Sequence, residues 1–334
     1  MIFLIYSIVY LFILLITIYI SKRLSLTDIP NERKIHKNQI PFTAGLSIFI
    51  YLLFLIKLNE LNLELENIII ISFICLISGL IDDKYTITPV IKLTLLSIPT
   101  FILIYQGFIL DNLGTYEIIG KINLGKLNFI FTLLCVGFLI NAFNYNDGID
   151  GLALSQIFIC LIYYKFLINN PELNYFLNLI LISIIITFFF NFSKNIKFKI
   201  FLGNGGSLML GFILSFFIIY LFKYENIHPG LLIWPVAYLV YEFLSISIIR
   251  LKRKKNIFTP GKDHFHHLLL KKFNNSHFKT TGIISLINII FIFLGILIYN
   301  ISNLLSLIVF IISFFSYLFF RIYIERKLII IHSK

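Results

Sequence analysis

The sequence predicts an all-α polytopic membrane protein of about eleven transmembrane helices, with one small periplasmic β-hairpin. Three observations carry this prediction. Of 334 residues, 59% are hydrophobic and only 13% charged, against about 25% charged in an average globular chain. Eleven apolar runs approach the ~20 residues that a spanning helix needs. Basic residues concentrate on alternate loops between those runs. No internal repeat, low-complexity linker or separate soluble domain interrupts the chain, so 1–334 reads as a single integral-membrane domain.

The first run, 2–20, has neither a basic leader nor a small-residue cleavage site, and is expected to be a retained span. Runs 42–58 and 67–81 follow, the second short and ended by Gly79 and two acids. Runs 89–106 and 127–143 flank a segment at 107–126, whose partial alternation around Gly120 predicts the hairpin. The remaining runs are 152–169, 175–192, 207–223, 230–249, 281–300 and 303–320. With eleven spans the loops alternate between two sides. One side, with the C-terminus, holds 22 Lys and Arg, and the other holds 5. The richer side is cytoplasmic by the positive-inside rule, which places the N-terminus outside and the C-terminus inside.

The net charge of +12 is explained by these flanks. With no basic-aromatic platform outside the spans, no nucleic-acid partner is expected. Cys75, Cys135 and Cys160 lie inside apolar runs without a C-x-x-C pair, and read as packing residues.

The polar clusters fall on the cytoplasmic side, in five loops from distant parts of the chain. That predicts a site assembled at the membrane surface. A channel or transporter would put ionisable groups near the bilayer midplane, and here Glu242 is the one acid well inside a span. Asp82 and Asp83 are adjacent at a helix end, suited to a hard cation or to a base with a raised pKa, although a solvated helix end is the plainer account. In "NAFNYNDGIDGLA", Asp147 and Asp150 would share a face if helical, as would Asn141 and Asn144. A helix cap at Asp150 would explain one acid only. "GNGGS" at 203–207 opens a helix, where Gly205, Gly206 and Ser207 favour phosphate, though such a loop alone can be a plain turn. "HFHH" supplies His264, His266 and His267 for phosphate or, less naturally beside so many oxygen donors and no cysteine, for zinc. Carboxylates, a glycine loop, histidines and lysines together suggest phosphoryl transfer around Mg²⁺, with Mn²⁺ as alternative.

"GLIDDKYTITPVIKL", "NAFNYNDGIDGLA", "FLGNGGSLMLGF" and "DHFHHLLL", in this order, resemble the polyprenyl-phosphate N-acetylhexosamine-1-phosphate transferases. These include the bacterial GlcNAc-1-phosphate transferases and the phospho-MurNAc-pentapeptide translocase. "IPNERKIHKNQIPFTAGL", with Lys34 and His36, looks like their first cytoplasmic loop. The resemblance spans about residues 28 to 270 and implies a ten- or eleven-span fold in the bacterial cytoplasmic membrane. It implies that undecaprenyl phosphate, or a similar polyprenyl phosphate, attacks a UDP-N-acetylhexosamine and releases UMP. It assigns Asp82 and Asp83 to the metal or to the lipid phosphate, Asp147 to catalysis, Asn144 to the metal's vicinity, Lys92 to a phosphate, and the three histidines to the UDP-sugar. Where the family usually carries a metal-binding aspartate, this chain has Asn204, which can coordinate only through an uncharged carbonyl oxygen. The "HFHH" form favours a GlcNAc-type donor over the peptidoglycan precursor. A non-catalytic carrier for the lipid or the nucleotide sugar, and a purely structural membrane protein, are the rival classes. A homodimer is compatible with the family.

Overall fold

The structure is a computed structural model that describes residues 2–28, 38–58, 61–85, 87–257, 261 and 263–332, with side chains to 327. Lys34 and His36 lie outside the described residues. Thirteen α-helices are described: α1 (Ile2–Arg23), α2 (Ala44–Lys57), α3 (Leu63–Tyr85), α4 (Pro89–Tyr105), α5 (Asn128–Tyr145), α6 (Leu152–Lys165), α7 (Pro171–Asn191), α8 (Gly203–Lys223), α9 (Pro229–Leu232), α10 (Ala237–Lys252), α11 (Phe265–Lys272), α12 (His277–Tyr299) and α13 (Asn303–His332).

Each of the eleven apolar runs is helical, which makes this an all-α polytopic protein. Eight helices, counting α9 and α10 with the turn between them as one, are long and apolar enough to cross a membrane. Three others, α2, α4 and α6, are shorter apolar helices. At 1.5 Å per residue, the 14 residues of α2 or α6 cover about 21 Å of a ~30 Å hydrocarbon layer. The run at 230–249 is broken: Pro235 lacks an N–H, and a 3₁₀ turn at Trp234–Val236 separates α9 from α10.

Two small antiparallel sheets complete the fold. β3 (Asn112–Tyr116) pairs with β4 (Gly120–Asn123), Tyr116 opposite Gly120, which is the hairpin read from the sequence. β1 (Thr27–Asp28) with β2 (Ile40–Pro41) was not anticipated, nor was α11, whose eight residues looked like loop. The two ends of the bundle sort as the alternation requires. At one end Glu117, after β3, accepts from Ser302 Oγ (2.5 Å) and Asn303 N (3.1 Å), between α12 and α13. At the other, Lys22 reaches the Lys197 carbonyl (2.8 Å), and Asp150 meets His277 at the start of α12.

The core is organised around α8, whose side chains are buried along nearly its whole length, while α12 and α13 are largely exposed. α8 packs chiefly on α3, α5 and α2. Its first turn is gripped by backbone. A Cβ on Gly79 of α3 would overlap the Asn204 carbonyl carbon and the Gly205 nitrogen, and one on Gly45 of α2 would overlap the Gly206 Cα. Two small residues thus let three helices touch main chain to main chain. Gly79→Ala should therefore lower the thermal midpoint by the equivalent of about 1–3 kcal/mol of overpacking. Gly137→Ala on α5, where nothing lies within 4 Å, should leave it unchanged or raise it; equal effects would refute this packing.

Candidate active site

The first turn of α8 collects the polar residues. Gly203 has φ +74, and a Cβ there would stand 2.9 Å from both Asp83 Oδ2 and Phe42 Cβ, so glycine is required twice over. Buried helix N-termini need acceptors for their free N–H groups. Here the acceptor is Asp83, at the end of α3: Asn204 N donates to Oδ1 (3.2 Å) and Gly205 N to Oδ2 (3.5 Å). Of the residues that the sequence offered to a phosphate, Gly205 has its amide taken up by a carboxylate of the chain itself.

A second chain of contacts runs across the same turn. Lys92, in the first turn of α4, donates to Asp82 Oδ2 (2.9 Å) and to Asn144 Oδ1 (3.0 Å). Asn144, near the end of α5, donates through Nδ2 to Asn204 Oδ1 (2.8 Å) and to Ser207 Oγ (2.7 Å). Residues from α3, α4, α5 and α8 thus form one network, Asp82–Lys92–Asn144–Asn204–Ser207. The adjacent acids have separate tasks: Asp82 pairs with a lysine, and Asp83 closes a helix.

Asp147 lies in a turn, not on a helix, so it does not share a helical face with Asp150. Burial first, and then the carboxylates of Asp83 and Asp150, push Asp147 up to about 8, against a hydrogen bond from the Gly203 backbone. Asp150 is occupied elsewhere. Its Oδ2 lies 2.6 Å from Lys199 Nζ and 3.1 Å from His277 Nδ1, and its carbonyl accepts from Thr281 Oγ1 (2.9 Å). Burial pushes its carboxyl up, but His277 and Lys199 outweigh this and hold it below the usual range. It does not cap α6, which starts after Gly151 with no side-chain cap. Asn141 donates to the Gly137 carbonyl of its own helix (2.7 Å). Gly206 serves packing against Gly45.

The histidines close over the Asp147 turn. His266 Nε2 fills the space where a Cβ of Gly148 would be, and His264 sets its ring edge-on to Tyr145, with centroids 5.6 Å apart. His264 and His266 stack nearly parallel (6°), and His267 follows at 4.3 Å from His266. His266 is 1% exposed, and neither ring nitrogen has a partner. Burial, followed by its histidine neighbours and Arg321, keeps it well below the usual histidine range, hence neutral. Buried nitrogens of this kind need a partner, which a water or a ligand can supply.

Among the described residues, no three His, Cys, Asp or Glu side chains converge as a metal cluster. Hard oxygens do converge. Asp83 and Asp147 both meet Gly203, and the amide oxygens of Asn144 and Asn204 belong to the adjoining network. Two like-charged carboxylates beside neutral amide oxygens, without sulfur, form a donor set that fits a hard divalent cation. The sequence missed His277, Lys199 and the ion pairs Glu242–Arg321 and Asp263–Arg250, which fix the site from outside. Only the isolation of Glu242 in an apolar run signalled any of them.

The raised Asp147 has a consequence for stability. Unfolded, it ionises near 4; folded, it keeps its proton to about 8. The folded state therefore holds the extra proton between those values, and stability from this group falls as pH rises through that window, then levels off. In chelator, Asp147→Asn should raise the thermal midpoint relative to the unsubstituted protein, by little at pH 5 and by most at pH 8 to 9. A gap that shrinks with pH would refute the assignment.

The sequence profile of glycosyl transferase family 4 matches residues 66–222. A "Probable undecaprenyl-phosphate N-acetylglucosaminyl 1-phosphate transferase" of Bacillus subtilis is 29% identical over 280 residues, covering 81% of this chain and 77% of its own. The undecaprenyl-phosphate alpha-N-acetylglucosaminyl 1-phosphate transferase of Pasteurella multocida is 30% identical over 267 residues, covering 75% of this chain and 73% of its own. The Escherichia coli K12 protein of that name is 25% identical over 260 residues, 75% and 71% of the two chains. With the profile spanning the Asp82–Asp83, Asp147 and Asn204 motifs, and a relative 30% identical over three quarters of the chain, this multi-pass membrane protein belongs to glycosyl transferase family 4.

Proposed function

We propose that the protein transfers N-acetylglucosamine 1-phosphate from UDP-N-acetylglucosamine to undecaprenyl phosphate in the bacterial cytoplasmic membrane. The observation that carries this is the joining of residues from α3, α4, α5 and α8 in one polar network at the first turn of α8, roofed by the histidines. The functions of the relatives support it. The excess of Lys and Arg on this side supports a cytoplasmic site and C-terminus with the N-terminus outside.

In this reading an oxygen of the lipid phosphate attacks the β-phosphorus of the UDP-sugar. A new P–O bond forms, the bond from the β-phosphorus to the bridging oxygen breaks, and UMP leaves with that oxygen. The lipid becomes a polyprenyl diphosphate bearing the sugar. In its ionised form Asp147 would accept the proton of the lipid phosphate, its raised proton affinity favouring the transfer and leaving a fully charged nucleophile. Lys92, already fixed by Asp82 and Asn144, offers its remaining N–H to a phosphate oxygen. His266 supplies a neutral, partnerless imidazole at the wall of the site. Mg²⁺, which Asp83 and the amide oxygens of Asn144 and Asn204 would hold, would neutralise the gathered phosphate charge.

The test is UMP release by purified protein given undecaprenyl phosphate, Mg²⁺ and UDP-N-acetylglucosamine, with each omitted in turn. UMP dependent on all three is the expected result. Release only with UDP-MurNAc-pentapeptide would move the chain to the peptidoglycan branch, and binding without release would make it a carrier. Asp147→Asn should cut turnover by about 10²–10⁴-fold in folded protein, and near-normal rates would refute its role. Asn204 Oδ1 already accepts from Asn144, a bond that an aspartate would keep while adding charge. Asn204→Asp should therefore lower the Mg²⁺ concentration for half-maximal rate; an unchanged or higher requirement would remove Asn204 from the metal.

A further inference from the structure

Glu242, the isolated acid of the apolar run, has no part in the chemistry above. It lies on α10, 2% exposed, and every group around it is a donor. Oε1 accepts from Phe265 N (2.9 Å) and has His264 Nδ1 at 3.4 Å, a charge contact without hydrogen-bond geometry. Oε2 accepts from Tyr317 Oη (2.8 Å) and from Arg321 Nε (3.1 Å). Arg321, 0% exposed on α13, donates through Nη2 to the Asp263 carbonyl (2.6 Å). The Asp263 carboxylate takes a two-pronged contact from Arg250, Nη2 to Oδ1 at 2.7 Å and Nε to Oδ2 at 3.1 Å. The residues on both sides of His264 are thus pinned, Asp263 through its carbonyl and carboxylate and Phe265 through its amide.

Buried ion pairs of this kind add little net stability, because desolvation offsets the attraction. What this one does is orient a ring. With Arg321, Tyr317 and Phe265 all donating, Glu242 is an ionised acceptor. A carboxylate oxygen faces an imidazole nitrogen favourably only if that nitrogen carries hydrogen. Nδ1 of His264 is therefore the N–H nitrogen, and Nε2 is the one free to meet a ligand. The stacked His266 and the edge of Tyr145 fix the remaining tilt of the ring.

We propose that Glu242, anchored by Arg321, is a positioning residue for sugar-nucleotide binding: it holds His264 as the Nδ1–H form and leaves Nε2 for the UDP-sugar. The proposal rests on the transferase reading for the identity of the ligand, but not for the state of the ring. The Arg321 anchor comes from α13, well outside the 66–222 segment that defines the family.

The experiment uses the full chain in detergent with ¹⁵N-labelled histidine, the His264 signal among the 7 histidines being assigned by its loss in His264→Gln. The expected spectrum has hydrogen on Nδ1. A ring carrying hydrogen only on Nε2 would overturn the proposal, whether or not any variant folds. In Glu242→Gln the amide oxygen stays with Arg321 and Tyr317, so the NH₂ faces both His264 Nδ1 and the Phe265 N–H; the His264 hydrogen should move to Nε2, and the Phe265 amide loses its acceptor. UDP-N-acetylglucosamine binding, measured by calorimetry, should weaken about tenfold or more in that variant. Tyr317→Phe removes a donor to Glu242 without touching His264, and should change affinity less than about twofold. Unchanged affinity in Glu242→Gln, or equal losses in both variants, would reduce Glu242 to packing. If the unsubstituted protein binds no UDP-sugar and releases no UMP while the Nδ1–H signal is present, the transferase reading fails and the ring assignment stands.

Discussion

The structure depends on how one helix begins. α8 is buried for almost its whole length, so its first N–H groups have no water to bond. Asp83 supplies the missing acceptor from the end of α3, and Gly79 and Gly45 let the neighbouring backbones come close enough for this. Once Asp83 is committed, the rest follows by adjacency. Asp82, next in sequence, turns to Lys92; Lys92 turns to Asn144; and Asn144 reaches back to Asn204 and Ser207 on the same turn of α8. A structural need of a buried helix and the assembly of a polar site are thus met by the same few residues.

The site is also electrostatically unfinished. Burial first, and then Asp83 and Asp150 with little positive charge to balance them, hold the proton on Asp147. Asp150 shows the contrast: three residues away, Lys199 and His277 satisfy it and it is an ordinary ionised anchor. His266 carries two buried nitrogens with no partner. Groups left unsatisfied in this way destabilise the free protein and are retained where a ligand completes them. In the proposed reaction a cation would supply the positive charge that the turn at 146–151 lacks.

The membrane setting shapes both parts. Polar groups in an apolar bundle must be paired within the protein, and the ion pairs around Arg321 and Arg250 do this while fixing the histidine segment. The shorter helices α2, α4 and α6 each start near the site, where chain is spent on turns instead of helix.

Hydrophobic runs and the placement of charge determined the all-helical membrane fold, the alternation of loops between two ends and the hairpin near Gly120, because lipid allows few alternatives to a long apolar helix. The site residues were also legible as types: acids, amides, glycines and histidines do not gather in such loops without a task. Their division of labour was not. Residue chemistry by itself does not separate Asp82 from Asp83, or Asp147 from Asp150, since each member of a pair is the same side chain and differs only in which distant residue it meets. The eight-residue α11 and the two-residue strands are too short for periodicity to register. Glu242 could be noticed but not explained, because its partners, His264 and Arg321, lie 22 and 79 positions away in sequence. Only the packing of α10, α11 and α13 brings them together, and pairing across such distances is decided by three-dimensional contact, to which local sequence carries no guide.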